Sequence, residues 1–166
     1  IIKTNNIEII NHHAAQISVT DSVKDPVKDA ESNIIGTLQL LQSAVKLDVK
    51  KFIFASTGGA IYGEQDSFPA KENHPQKPIS PYGISKLSIE GYLRFYQEQY
   101  GIKSIIFRYG NVFGPRQNPN GEAGVVAIFC NRLLKYQAPI INGDGEQTRD
   151  YIFIKDVVQA NLLALN

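Results

Sequence analysis

No methionine and no tryptophan occur in these 166 residues, and there is a single cysteine. The lone Cys130 excludes an internal disulfide, so the fold must be held by its core, and it fits a reducing compartment. A chain that starts Ile1-Ile2-Lys3 without an initiator reads as an internal piece of a longer polypeptide. Charge of one sign is also lacking: 17 Lys and Arg against 16 Asp and Glu leave a net charge of +1. That balance gives no electrostatic reason to expect nucleic acid or a membrane surface as a partner. No apolar run approaches the ~18 residues of a membrane span, and no signal peptide opens the chain. The expected class is a soluble, cytoplasmic protein. What is present, 43% hydrophobic and 20% charged residues, suits one globular domain with a real core.

Short β-rich runs alternate with longer helical ones. Ile7-Glu8-Ile9-Ile10 reads as a strand that runs into the small-residue turn Ala14-Ala15-Gln16. Val27, Ala30, Ile34, Leu38, Leu41 and Val45 then recur at helical spacing. Lys51 to Ala55 is a short buried strand, followed by a loop from Ser56 to Gly63. Ser80 is an N-cap, Pro81 a first-turn proline and Gly101 a C-terminal stop, which together bracket a long helix. Ser104 to Arg108 is a further strand, Ala123 to Tyr136 a helix, Pro139 to Ile141 a short strand, Tyr151 to Ile154 extended, and Asp156 to Leu165 helical. This alternation predicts an α/β fold, a doubly wound parallel sheet covered on both faces. In such folds ligands sit at the carboxyl ends of the strands. The segments Ala14 to Gln16, Ser56 to Gly63 and Tyr109 to Arg116 each follow a strand, so the candidate chemistry converges on one edge.

Within that frame Tyr82 and Lys86 carry the most information. Four residues apart on a helix, they share a face one turn apart. A phenol ionises near pH 10. Lowering that to about 7 needs roughly 4 kcal/mol, which one cation at ~4 Å supplies at an effective dielectric near 20. The pair can therefore make a general base for an alcohol, with Lys86 lowering the pKa of Tyr82. Alone it is weak, since composition produces a Tyr-x-x-x-Lys match ~0.6 times by chance. Its companions strengthen it. Ser56 and Thr57 place two hydroxyls directly after a strand, and either could instead cap a turn. Adjacent histidines at a strand end, His12 and His13, face opposite ways, so no metal site is expected. The glycines from Gly58 to Gly63 have a phosphate loop's spacing, but Glu64 stands where that loop needs lysine.

Taken in order, His12-His13-Ala14-Ala15-Gln16, Ser56-Thr57-Gly58-Gly59-Ala60-Ile61-Tyr62-Gly63, Tyr82-Gly83-Ile84-Ser85-Lys86 and Arg108-Tyr109-Gly110-Asn111-Val112-Phe113-Gly114-Pro115-Arg116 resemble the extended short-chain dehydrogenase/reductases. The resemblance is greatest to nucleotide-sugar epimerases of the UDP-glucose 4-epimerase type, and runs from Ile7 to Asn166. It implies a Rossmann-like fold with NAD as cofactor and a nucleotide sugar, such as a UDP-sugar, as substrate. Tyr82 would be the base, Lys86 would also hold the nicotinamide ribose, and Thr57, or less simply Ser56, would bind the sugar hydroxyl that is oxidised. Ala14, Ala15, Gln16, Asn33, Ser56 and Tyr109 would complete the cofactor site. Asn111, Arg116, Val125, Ile141, Asn142 and Arg149 would hold substrate, with Arg149 on the diphosphate, although it could instead pair with Asp150 or Asp156 on the surface. In relatives the helices at 27–47 and 82–100 pack against a second subunit, which implies a homodimer.

The resemblance also bears on the reaction. Related 4,6-dehydratases carry an Asp-Glu pair after the catalytic Thr, because eliminating water needs a proton donor and a carbon base. Gly58 and Gly59 occupy those places here, so hydride return to a rotated 4-keto sugar, an epimerisation, is the expected outcome. What is missing is the opening strand and Gly-x-x-Gly-x-x-Gly turn for the NAD pyrophosphate. The chain therefore reads as the central part of one cofactor-binding domain, incomplete on its pyrophosphate side, with a substrate-binding region starting near residue 110. Another epimerase or reductase of the same family, or an inert truncated fragment, are the competing accounts.

Overall fold

The computed structural model describes residues 2–120 and 124–166. A short helix, α1 (Ile2–Asn5), precedes β1 (Ile9–His12). Then come α2 (Val19–Lys24), α3 (Pro26–Ala30), a π-helical segment (Glu31–Ile35) and α4 (Gly36–Lys46). Strand β2 (Lys51–Thr57) runs into the single turn α5 (Gly58–Ile61), and the long α6 (Pro81–Tyr100) leads to β3 (Lys103–Tyr109). Strands β4 (Asn111–Phe113) and β5 (Tyr151–Phe153) flank α7 (Val125–Leu134), and α8 (Ile154–Leu165) closes the chain. Two compact units result, one ending at Arg108 and one beginning at Tyr109.

In the first unit β1, β2 and β3 form a sheet in that order, with β1 and β2 parallel and His12 opposite Phe54. Its core joins Phe52 and Phe54 of β2 to Leu41 and Ala44 of α4 and to Ile89, Leu93 and Tyr96 of α6. Each large apolar side chain buried in this way contributes ~2 kcal/mol. The end of a buried core strand is the natural place for chemistry, because the packed β2 fixes where Ser56 and Thr57 emerge. In the second unit β4 and β5 are parallel, Asn111 opposite Tyr151. No described helix is long and apolar enough to cross a membrane.

The stripe from Val27 to Val45 is helical but passes through a π turn at Glu31–Ile35, and although Ile34, Leu38, Leu41 and Val45 reach the core, Val27 at its start is 66% exposed. Two expectations need correction. Pro139 to Ile141 is irregular rather than a strand, with Ile140 and Ile141 exposed and no ladder partner among the described residues. The α7 helix ends at Leu134, before Tyr136, and its expected start at Ala123 lies outside the described residues.

Candidate active site

The long helix begins where its sequence demands. Ser80 is extended, and its hydroxyl accepts a hydrogen bond from the Gly83 N–H at 3.2 Å, with Pro81 in the first turn. Tyr82 thus stands in the first turn, and its backbone N–H donates to the Ser22 hydroxyl of α2 at 3.2 Å. Gly83 has a steric reason to be glycine: a Cβ there would lie 2.4 Å from the Ala60 carbonyl oxygen. One turn on, Lys86 is 4% exposed. Its Nζ donates to the Ala55 carbonyl at 2.8 Å and stands 4.8 Å from the Phe54 ring centre and 5.8 Å from that of Tyr82. Lysine and tyrosine therefore share a helix face at the end of β2.

Burial moves both groups away from charge. It lowers the Lys86 pKa to about 8, with the Asp29 carboxylate acting in the opposite sense. It raises that of Tyr82, and Asp29 adds to the rise. The expected fall in the Tyr82 pKa is therefore reversed. The ammonium is turned to the Ala55 carbonyl and the ring faces rather than hydrogen-bonded to the phenol oxygen, so desolvation wins.

The two hydroxyls after β2 have different fates. Ser56 is buried and donates to Glu90 Oε1 at 2.5 Å. Glu90, 2% exposed, receives the Arg108 guanidinium, Nη2 at 2.6 Å and Nε at 3.1 Å. Arg108 Nη1 also donates to the Tyr62 hydroxyl and the Glu72 carbonyl, both at 2.9 Å. The hydrogen bonds to Glu90 raise the Arg108 pKa further. Thr57 sits at the N-cap of α5, half-buried, yet makes no side-chain capping bond. Of the two, Thr57 is the one whose hydroxyl makes no hydrogen bond among the described residues, and it does not cap the α5 turn.

The loop after β1 is fixed by a buried polar knot. Gln16 N–H donates to Asn33 Oδ1 and Asn33 Nδ2 returns a bond to the Gln16 carbonyl, both at 2.9 Å. Asp29 Oδ1 accepts from Asn33 Nδ2 and Gln16 Nε2, each at 3.0 Å, and Oδ2 accepts from the Ser85 hydroxyl at 2.7 Å. Ala14 is exposed and Ala15 half-buried beside this knot. His12 stacks on Phe54, meets Phe52 edge-on, and lies 3.0 Å from the Thr37 hydroxyl. Because that hydroxyl donates to the Asn33 carbonyl, His12 Nε2 must be the donor to it. Burial lowers the His12 pKa, and the Lys86 charge adds to the fall. Among the described residues no group of three His, Cys, Asp or Glu side chains is arranged to hold a metal ion.

The remaining expected site residues belong to the second unit. The Tyr109 hydroxyl accepts from Asn161 Nδ2 at 2.6 Å, and burial raises its pKa. Asn111 opens β4, its Nδ2 donating to the Asp150 carbonyl at 3.3 Å. Arg116 is exposed with φ of 71°. Val125 opens α7, and Ile141 and Asn142 lie in the exposed stretch after it. Arg149 is exposed and donates to the Thr148 carbonyl at 2.7 Å, and it forms no ion pair with Asp150 or Asp156.

Sequence reasoning missed Asp29, Ser85, Glu90 and Arg108 as parts of this arrangement. Glu90 had a signal, since it lies eight residues, about two turns, beyond Tyr82 and one turn beyond Lys86, on their side of the helix.

Comparison with known proteins bears on family and fold. Residues 1–166 match the NAD dependent epimerase/dehydratase family. The crystal structure of UDP-glucose 4-epimerase with UDP-glucose from Thermotoga maritima superposes with a TM-score of 0.97 at 54% identity, over 99% of this chain and 54% of that one. The Thermus thermophilus UDP-glucose 4-epimerase complex with NAD gives 0.91 at 47%, over 99% and 55%. The UDP-glucose 4-epimerase of Mycolicibacterium smegmatis is 46% identical over 153 residues, 92% of this chain and 49% of that protein. The chain thus spans about half the length of these relatives, and its α/β architecture is Rossmann-like. A match along the whole chain, with the fold shared at this level of identity, makes it a member of the NAD dependent epimerase/dehydratase family.

Proposed function

We propose that this chain is the part of an NAD-dependent nucleotide-sugar 4-epimerase, of the UDP-glucose/UDP-galactose type, that carries the proton-transfer groups. One observation carries the reading. Lys86 is a buried ammonium one turn from Tyr82, and among the described residues only the Ala55 carbonyl takes one of its three donors. Two donors left over suit the paired hydroxyls of a ribose. Ala14 and Ala15, with nothing beyond Cβ, leave the β1 loop open to a flat ligand, and Gln16, Asn33 and Tyr109 are assigned to the same cofactor. The residues present thus fit NAD, which when bound takes a hydride from the sugar carbon and gives it back.

In this reading Tyr82 removes the hydroxyl proton and Thr57 holds the same hydroxyl in line. A phenol whose pKa burial raises needs a nearby cation to act as a base, which is the part assigned to Lys86. Gly58 and Gly59 contribute no acid, so no water is eliminated. A Cβ on Gly59 would meet only Thr57 Oγ1, at 3.9 Å, which supports room for a 4-keto sugar to turn before the proton returns from Tyr82. Asn111, Arg116, Val125, Ile141, Asn142 and Arg149 hold the nucleotide, with the guanidinium of Arg149 suited to a diphosphate. The Thermotoga protein with UDP-glucose and the Thermus protein with NAD support this ligand pair.

The test is Tyr82→Phe in an enzyme containing this chain. Interconversion of UDP-glucose and UDP-galactose should fall ~10²- to 10⁴-fold while the thermal unfolding curve is unchanged. Full turnover in that variant would falsify the assignment.

Self-association belongs to the same reading. Val27, Ile35, Ile84, Tyr92 and Phe95, all on the helical stretches 27–47 and 82–100, are 66%, 48%, 51%, 41% and 48% exposed. That much apolar surface favours a homodimer through these helices. Sedimentation should give a dimer at micromolar concentration, and a monomer throughout would remove this part.

A further inference from the structure

We propose that Asp29 is a positioning residue, whose carboxylate ties the loop after β1 to α6 and supplies the negative charge that faces Lys86. Its catalytic consequence rests on the function proposed above; its electrostatic content does not.

Asp29 is 1% exposed. A carboxylate taken out of water is costly unless it is hydrogen-bonded or paired with a charge. Both of its oxygens are occupied, one by Gln16 and Asn33 and the other by Ser85, and all three donors are neutral. These donors come from three places that the proposed chemistry must keep in register. Gln16 is the loop where the nicotinamide would lie, Asn33 is the π-helical segment, and Ser85 immediately precedes Lys86. The Asp29 carboxylate, held to Ser85 immediately beside Lys86, acts on the Lys86 ammonium through space.

Among the described residues, three titratable groups are seen to interact with Lys86. Tyr82 lies on its own helix, His12 on β1, and Asp29 on α3. Burial keeps His12 toward its neutral form and Tyr82 toward the phenol. Asp29 is the anion among them, and it opposes the desolvation that would strip the proton from Lys86. A purely structural brace would need the shape of Asp29 but not its charge, and the two can be separated.

Asp29→Asn keeps the shape. Its Oδ1 can still accept from Gln16 and Asn33, and its amide can donate to the Ser85 oxygen. Only the charge is lost. In the full chain labelled with ¹³Cε-lysine, the Lys86 resonance should titrate near pH 8 in the natural protein. In Asp29→Asn the midpoint should move lower, and in Ser85→Ala, which leaves the charge, it should stay in place. The alkaline limb of kcat in the active enzyme should move down with it, with turnover at neutral pH lower by roughly 10- to 100-fold and KM little changed. An unshifted Lys86 midpoint in a folded Asp29→Asn protein overturns the proposal. Should that variant not fold, a Lys86 midpoint displaced by Ser85→Ala overturns it instead, because bracing would then be the cause. A midpoint shift alongside a fully active Tyr82→Phe enzyme would leave Asp29's charge effect standing and remove the epimerase reading.

Discussion

In the unit ending at Arg108, Asp29, Asn33, Lys86 and Glu90 are each 4% exposed or less, and every one has a hydrogen-bond partner. In the unit beginning at Tyr109, Asn111, Arg116, Val125, Ile141, Asn142 and Arg149 are all exposed, and α7 has no buried residue. The two units thus differ in how far their polar side chains are held in place. The buried polar groups around Lys86 are fixed by packing and hydrogen bonds before any ligand arrives, and burial holds the Lys86 pKa at about 8. Groups that would grip a nucleotide keep their side-chain freedom, and their ordering would be part of the binding free energy.

Three changes would sharpen or break that contrast. The largest effect is expected from Glu90→Ala, which leaves the Arg108 guanidinium without its carboxylate and the Ser56 hydroxyl without its acceptor. Stability in urea should drop by ~3–5 kcal/mol. A loss below ~1 kcal/mol would mean that the pair does not brace the first unit. Next is Lys86→Met, read as stability against pH. The folded pKa of Lys86, about 8, lies below its ordinary 10.5, so between these values the unfolded chain binds more protons. Stability should therefore rise as pH increases from about 8 toward 10.5, by up to ~3 kcal/mol. Above pH ~10 the raised pKa of Tyr82 acts the other way, since the unfolded phenol loses its proton first. In Lys86→Met the rise should vanish, and its persistence would assign it to another group. The smallest effect is expected in the second unit, where Leu134→Ser alters a side chain that is 82% exposed. Unfolding free energy should change by no more than ~0.5 kcal/mol. A loss of several kcal/mol would show that α7 is packed in solution.

Much of the first unit could be read from residues. Ser80, Pro81 and Gly101 set the ends of α6 where capping chemistry puts them, Gly101 with φ of 72°. Tyr82 and Lys86 shared a face because helical periodicity leaves no alternative. The choice between Ser56 and Thr57 was not legible, since it depends on Glu90 reaching Ser56 from another element 34 residues away. Asp29 was hidden for a different reason. It stands in Lys24-Asp25-Pro26-Val27-Lys28-Asp29, a run that looks solvated, and which member turns inward is decided by the break at Asp25 and the π turn after Ala30. The sense of the Tyr82 shift was missed because a pairwise Coulomb estimate omits desolvation, which here is the larger effect.

The bare α-carbon of Gly83 has a bearing on how such a protein can diversify. With backbone lying on backbone between α6 and the Ala60 carbonyl, the spacing of the Tyr82 turn from the Thr57 turn cannot be adjusted by choosing a bulkier or slimmer side chain. If Tyr82 and Thr57 act as proposed above, the separation of base and hydroxyl is inherited unchanged, and a change in the sugar accepted would have to arise elsewhere, as at positions 58 to 60.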